Sequence, residues 1–429
     1  MKWKINPSLL SGSIAIPPSK SHTIRALLVA ALADGTSVIR TPLMHGDGAS
    51  AVRAAAALGA QVTCRGNDLA IKGIGKNVNS GHEAFDMGNS GTSTNLFMSA
   101  AALGSKPRRF DGDASLRSRP FRPLLCALEK LGATYSPASP KGDLPFVIKG
   151  PIKGGKTTVN GISSQFVSSL LFTCPLLGED TEIVVENLQE RPYVELTLWW
   201  LKKQGIIVSC SDDLSLIHIP GGQRYCPFDR AIPADFSGAT FAACAAAIAG
   251  GNLTLTGLDF SDPQGDKGVF DVLERMGASV IYGRDGVVIS GGATLRGRTI
   301  DLNAMPDTLP ALSVVACAAE GETRFINVAQ ARIKETDRIA VMKEELAKMG
   351  AAVTEHEDGL TIRHSELKGT QVSGRDDHRV VMALALAGMI AQGETVIDTA
   401  EAAAVTYPGF VEDFRKIGAE IETIVSRVI

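Results

Sequence analysis

One short pattern organises the chain. A stretch with helical spacing of apolar residues runs into a glycine and then into an apolar, often β-branched run. It reads AAALGAQV from Ala55, LEKLGATY from Leu128, LKKQGIIV from Leu201, LERMGASV from Leu273, LAKMGAAV from Leu346 and FRKIGAEI from Phe414. The marker glycines are Gly59, Gly132, Gly205, Gly277, Gly350 and Gly418. A glycine just past a helix supplies the left-handed backbone that ends it, and the residues after it have strand character. A spacing of roughly seventy residues predicts six copies of one supersecondary unit.

Each copy holds a second helical stretch that is apolar nearly all round: SKSHTIRALLVAALADG, NSGTSTNLFMSAAALG, SSQFVSSLLFTCPLLG, DFSGATFAACAAAIAGG, PDTLPALSVVACAAEG and DDHRVVMALALAGMIAQG. A helix without a polar face is a buried one. All six open on Ser, Asp or Asn, which cap helices. Helix N-termini carry partial positive charge and free N–H groups, so six such starts suit anions. Pro17 and Pro18 precede the first of these helices, and Pro233 precedes the fourth. The prolines predict two domains of three units each: residues 18–232, and residues 1–17 with 233–429.

Bulk properties narrow the function. The chain has 429 residues, 45% hydrophobic and 21% charged, with a net charge of -3. That is ordinary globular composition, and it argues against nucleic acid or a membrane surface as partner. Met1 to Leu10 has no continuous apolar region, so no signal peptide is expected, and no apolar run is long enough to span a bilayer. Seven scattered cysteines without a CxxC fit a reduced, cytoplasmic protein better than a disulfide framework. No cluster has metal-ligand spacing, so neither metal nor cofactor is expected.

The charged and small polar residues collect at the predicted helix starts. Lys20, Ser21 and Arg25 open the first buried helix, Asn89 to Thr92 the second, and Ser163, Ser164 and Gln165 the third. Asp235 and Ser237 open the fourth, Asp307 the fifth, and Asp377, His378 and Arg379 the sixth. Arg117 and Arg119 lie in the turn DASLRSRP, and RIKETDR runs from Arg332 to Arg338. Singly, each has a plainer reading. Ser21, Ser163 and Asp307 serve as well for caps, GNSGTS for a turn, and Lys334 and Arg338 for partners of Glu335 or Asp337 on a solvated helix face.

Taken in order, PSKSHTIRA, GNSGTS, RSRP, SSQF, PD, RIKETDR and DHR resemble the 5-enolpyruvylshikimate-3-phosphate synthase family across nearly the whole chain. The resemblance implies an α/β fold of two similar domains, each of three βαβαββ-type units with buried parallel helices, closing over a cleft. It implies transfer of the enolpyruvyl group of phosphoenolpyruvate to the 5-hydroxyl of shikimate 3-phosphate by a monomer, without metal or cofactor. It assigns Asp307, Glu335 and Lys20 to catalysis. It assigns Lys20, Ser21, Arg25, Ser163, Ser164, Gln165, Asp307 and Lys334 to shikimate 3-phosphate. Lys20, Gly91, Arg119, Gln165, Arg338 and Arg379 fall to phosphoenolpyruvate.

Four positions depart from the family pattern. Asn95 stands for an arginine, Glu190 for a serine, Gln330 for an asparagine and Val405 for a lysine. Two other enzymes stay open: the relative that acts on UDP-N-acetylglucosamine, and a paralogue with another ring alcohol as acceptor. The first uses a loop cysteine, and Gly112 to Pro120 has none. A non-catalytic binding relative is a third, against which the retention of Asp307 and Glu335 argues.

Overall fold

The computed structural model describes residues 1–139 and 142–425. Twelve helices realise the two sequence patterns in alternation. They are α1 (Lys20–Leu32), α2 (Gly46–Leu58), α3 (Gly91–Ala101), α4 (Arg122–Lys130), α5 (Ser164–Thr173) and α6 (Arg191–Lys203). They continue as α7 (Phe236–Ala249), α8 (Gly268–Met276), α9 (Leu309–Ala318), α10 (Arg338–Lys348), α11 (His378–Ile390) and α12 (Phe410–Lys416).

The odd-numbered helices are buried on almost every side, as their lack of a polar stripe requires; in α11 His378 through Met389 are all buried. The even-numbered ones are amphipathic and run into the marker glycines. Gly59, Gly132, Gly205, Gly277, Gly350 and Gly418 have φ of +118, +101, +70, +111, +93 and +106°. These backbones are ones that a side chain resists, which is why glycine recurs there.

Each helix pair accompanies a four-stranded sheet of one topology. In one copy Ala84–Asp86 runs parallel to Arg108–Asp111, which pairs antiparallel with Gly142–Lys149, itself antiparallel to Thr134–Ser139. The parallel pair needs a crossover, and α3 is that crossover. The other five sheets repeat one parallel join followed by two antiparallel ones. Three of them take a strand from far along the chain. Asp229–Ala231 joins Thr36–Arg40, Gly12–Ala15 joins Asn252–Thr256, and Lys2–Asn6 lies between Thr395–Asp398 and Glu420–Ile424.

The chain forms two compact units, Met1–Pro17 with Pro233–Ile429, and Pro18–Ile232. Each has its own hydrophobic core. Within the unit Pro18–Ile232, α3 and α5 run parallel in register: Asn95 Nδ2 donates to Gln165 Oε1 at 2.8 Å, and one turn on Ser99 Oγ meets Ser169 Oγ at 2.6 Å.

Five buried helices carry side-chain caps: Ser19, Ser90, Ser163, Asp235 and Asp377 each accept from a backbone N–H of the first turn. Two expectations are corrected. Ser21 lies inside α1, and Ser19 is the cap. At α9 a 3-10 turn, Pro306–Thr308, leads into the helix, and no side chain caps it. Asp307 lies inside that turn, and its oxygens accept from the guanidinium groups of Arg338 and Arg379. The RIKETDR segment is also no solvated helix face: Ala329–Ile333 is a 3-10 turn and α10 begins only at Arg338, capped by Asp337.

Candidate active site

In the unit Pro18–Ile232 the predicted residues lie at the starts of α1, α3 and α5. Lys20 Nζ lies 3.2 Å from Asp47 Oδ2, both well buried. Asp47 is held from the other side as its carbonyl accepts from Ser93 Oγ in α3. Arg119 donates to Asn89 Oδ1, and its guanidinium crosses Gly91 so closely that a Cβ there would sit 2.8 Å from Nη1. A side chain at 91 would thus push the tip of Arg119 away from the start of α3.

At α5, Ser163 caps the helix, Ser164 Oγ donates to Glu190 Oε2 at 2.8 Å, and Gln165 accepts from Asn95. Two departures from the family pattern thus carry definite structure. Asn95 positions Gln165. Glu190, 1% exposed, aims its carboxylate at Ser164 from a left-handed backbone with φ +54°. For a residue with a side chain that conformation is sparsely populated and held in place by its surroundings.

Arg25 is wholly buried. Its Nε donates to Thr197 Oγ1, Nη1 to the Ser21 carbonyl and Nη2 to the Tyr193 carbonyl, all at 3.0 Å. Burial brings its pKa down to about 10. It ties α1 to α6 as well as standing near the predicted site residue Ser21.

In the other unit the charges interlock. Arg338, 1% exposed, donates from Nη1 to Asp307 Oδ1 at 2.8 Å, from Nη2 to Glu335 Oε2 at 2.6 Å and from Nε to Asp377 Oδ2 at 2.8 Å. Arg379 Nη2 reaches Asp307 Oδ2 at 2.8 Å. Burial works against the Arg338 charge, but Asp377, Glu335 and Asp307 outweigh it and hold the guanidinium pKa above its ordinary value. Burial likewise works against the charge of Asp377, and Arg338 overcomes it, keeping that carboxyl below the usual carboxylate range. Lys334 follows directly after the Ala329–Ile333 turn and precedes Glu335. Val405 ends another 3-10 turn, Ala400–Val405, and is half-buried.

Asp307, Glu335, Arg338 and Arg379 are therefore one cluster, with both predicted acid–base carboxylates on a single guanidinium. Asp377 belongs to it too, although the sequence marks it only as a cap. Asp47 and Asp266 are buried acids that motif reading passed over; the available signal was an identical Gly-Asp step where α2 and α8 begin. Among the described residues no group of three or more His, Cys, Asp and Glu is arranged to hold a metal ion, and no helix is long and apolar enough to cross a membrane.

Six βαβαββ copies, five of them with a polar-capped buried helix, together with a carboxylate–guanidinium cluster, define a transferase of the enolpyruvyl type. The chain belongs to the EPSP synthase (3-phosphoshikimate 1-carboxyvinyltransferase) family, whose model matches residues 5–414. It is 50% identical over 423 residues to the 3-phosphoshikimate 1-carboxyvinyltransferase of Acetivibrio thermocellus, covering 99% of this chain and 100% of that one. It is 41% identical over 425 residues to the enzyme of that name from Methanococcoides burtonii, covering 98% and 99%. Among solved structures it is similar to EPSP synthase from Acinetobacter baumannii, with a TM-score of 0.83 at 27% identity, covering 98% of this chain and 100% of that one.

Proposed function

We propose that this protein transfers the enolpyruvyl group of phosphoenolpyruvate to the 5-hydroxyl of shikimate 3-phosphate, releasing phosphate. The observation that carries the reading is the pair of carboxylates, Asp307 and Glu335, held on the one buried guanidinium of Arg338. Addition followed by elimination needs a base at the hydroxyl and an acid at the methylene carbon. In this reading Asp307 takes the hydroxyl proton as the oxygen bonds to C2, and protonated Glu335 gives a proton to C3. Phosphate then leaves the tetrahedral intermediate, taking up the proton that Asp307 holds, as C3 returns its proton to Glu335 and the double bond re-forms. Lys20 stabilises the charge that develops.

Both substrates are dianionic or more, so the ligands of their charged groups are cations, hydroxyls and amides, and Asp307 meets the reacting hydroxyl. We assign shikimate 3-phosphate to Lys20, Ser21, Arg25, Ser163, Ser164, Gln165, Asp307 and Lys334. Phosphoenolpyruvate falls to Lys20, Gly91, Arg119, Gln165, Arg338 and Arg379. Bidentate pairing suits guanidinium to phosphate and carboxylate, and the carboxylates that now hold Arg338 and Arg379 fix their planes in advance. The seven cysteines are all free thiols, which supports a cytoplasmic enzyme; we take it to act as a monomer.

A second reading, another ring alcohol as acceptor, is favoured by one observation: Glu190 puts a carboxylate on Ser164, a residue assigned to the acceptor's phosphate. Phosphate release from phosphoenolpyruvate, measured with shikimate 3-phosphate, unphosphorylated shikimate or UDP-N-acetylglucosamine as acceptor, separates the readings. Turnover with shikimate 3-phosphate alone is the expected result. Turnover only with another alcohol replaces it.

A further inference from the structure

The first and fourth repeats place an aspartate after a glycine where the second helix begins: Gly46-Asp47 in the first turn of α2, and Gly265-Asp266 in the 3-10 turn that leads into α8. Both are buried, 4% and 2% exposed. What faces them differs. The first buried helix opens Ser19-Lys20-Ser21, and the Lys20 ammonium pairs with Asp47. The fourth opens Asp235-Phe236-Ser237, with a phenyl ring at the lysine's place in the sequence, and the Ser237 hydroxyl donates to Asp266.

The charges around Asp266 come from each element packed against it. Asp235 and Ser237 belong to the start of α7, Asp307 to the Pro306–Thr308 turn, and Arg379 to the start of α11. Its neighbour Lys267 is turned elsewhere, donating to the carbonyls of Phe260 and Asp262 at 2.9 and 2.7 Å. Burial first, then the Asp307 carboxylate and more weakly Asp235, raise the pKa of Asp266 to about 7, against the opposing pull of Arg379 and Ser237. Five carboxyl groups, Asp235, Asp266, Asp307, Glu335 and Asp377, share this corner with the guanidinium groups of Arg338 and Arg379. A proton on one of them lowers the repulsion, and Asp266 is the one best placed to carry it.

We propose that Asp266 is a positioning residue for the transfer reaction, resting on the function read above: as a neutral carboxyl beside the Asp307 turn it lets Asp307 stay ionised and the anions bind, and on ionising it turns the site against them. The sign follows from the charge. Below neutral pH Asp266 is uncharged and the site is permissive. Above it, a fresh negative charge faces a second anion, so the apparent KM for phosphoenolpyruvate rises while kcat changes less. An asparagine keeps the acceptor for Ser237 and cannot ionise.

The test compares kcat and KM for phosphoenolpyruvate in the full-length protein and in Asp266→Asn from pH 6 to pH 9. The ratio of kcat/KM, wild type over variant, should fall about tenfold across that range, the scale of one pKa unit of charge interaction, and most of the fall should lie in KM. Groups that titrate in both proteins, the substrate phosphate included, cancel in the ratio. A ratio constant within about twofold, below that scale, means a merely structural role and overturns the proposal. Asp266→Ala, also uncharged, must give the same ratio, which covers a failure of the asparagine variant to fold. Infrared titration of the wild-type protein against either variant reads the carboxyl directly. A protonated Asp266 band present at pH 6 and gone by pH 9 supports the proposal, and a carboxyl already ionised at pH 6 overturns it. If no protein releases phosphate at any pH, the functional reading falls, and the infrared result still decides the state of Asp266.

Discussion

In the unit Pro18–Ile232 the caps of the buried helices are neutral hydroxyls, Ser19, Ser90 and Ser163, beside the Asn95–Gln165 amide pair, while the charged Lys20 and Glu190 stand next to them. In the unit that holds Pro233–Ile429, the corresponding starts are carboxylates: Asp235, which caps α7, and Asp307 and Asp377, which are locked on Arg338 and Arg379. The backbone solution is the same in both. A hydroxyl or amide start offers hydrogen bonds that barely depend on pH, which suits recognition. A carboxylate–guanidinium start stores charge that has to be balanced in place, which suits proton transfer. One repeated fold thus supplies two kinds of surface, and the exchange of a few cap and turn residues decides which.

The largest expected effect breaks the charged side. Arg338→Met leaves Asp377, 0% exposed, and the partly buried Asp307 and Glu335 short of their shared cation. Stranding a buried ionic partner costs about 3–5 kcal/mol, so urea unfolding should show a loss of that size. Arginine deleted with less than about 1 kcal/mol lost, the range of an exposed pair, would mean that the network is not what holds these helix starts together.

Next is the chemistry itself. Asp307→Asn keeps an acceptor for one guanidinium hydrogen bond, and Arg338 retains Glu335 and Asp377. The unit should fold, for that reason and not because asparagine caps α9, since position 307 caps nothing. Turnover should fall about 10²-fold or more, the typical contribution of a positioned base. Near-wild-type kcat in a folded variant removes Asp307 from its assigned role.

Why some of this was legible and some was not follows from where the signal lies. A marker glycine is local: the positive φ at Gly59 or Gly277 is needed whatever packs nearby. An all-apolar helix such as α11 declares its burial by composition alone. Helix starts are local as well, so caps such as Ser163, Asp235 and Asp377 could be read directly. The α9 start could not, because whether Asp307 caps a helix or pairs with arginine depends on Arg338, from the second helix of the same repeat, and on Arg379, from the next repeat. Asp266 was illegible for the same reason: QGDKG is an ordinary turn until Ser237 and Asp307 are brought beside it. Glu190 is visible in sequence only as a departure, and its meaning rests on the Ser164 hydroxyl that it accepts.

The smallest expected effect sharpens the comparison at its edge. Val405 stands where the family pattern has lysine, in a turn packed on α11, the helix that opens with Arg379. Two residues on, Tyr407 reaches the first turn of α7, where a Cβ on Gly238 would lie 3.9 Å from its ring. The segment therefore runs to the helix-start end of its unit, the end that carries the charged cluster. A lysine at 405 would add a cation where the carboxylates outnumber the guanidinium groups. A hydrogen bond to a charged group is worth about 1.5–3 kcal/mol. In Val405→Lys the apparent KM for phosphoenolpyruvate should drop by roughly 10- to 100-fold, since about 1.4 kcal/mol is tenfold. Part of that gain is lost if the new ammonium pairs with Asp307 or Glu335 instead of substrate, and kcat separates the two cases. A cation on the substrate lowers KM and leaves kcat alone, whereas a cation on the acid–base pair lowers kcat. If KM and kcat both stay within about twofold of wild type, well under the value of one charged hydrogen bond, position 405 does not face the anion site. The charged surface of this unit then ends at Arg379.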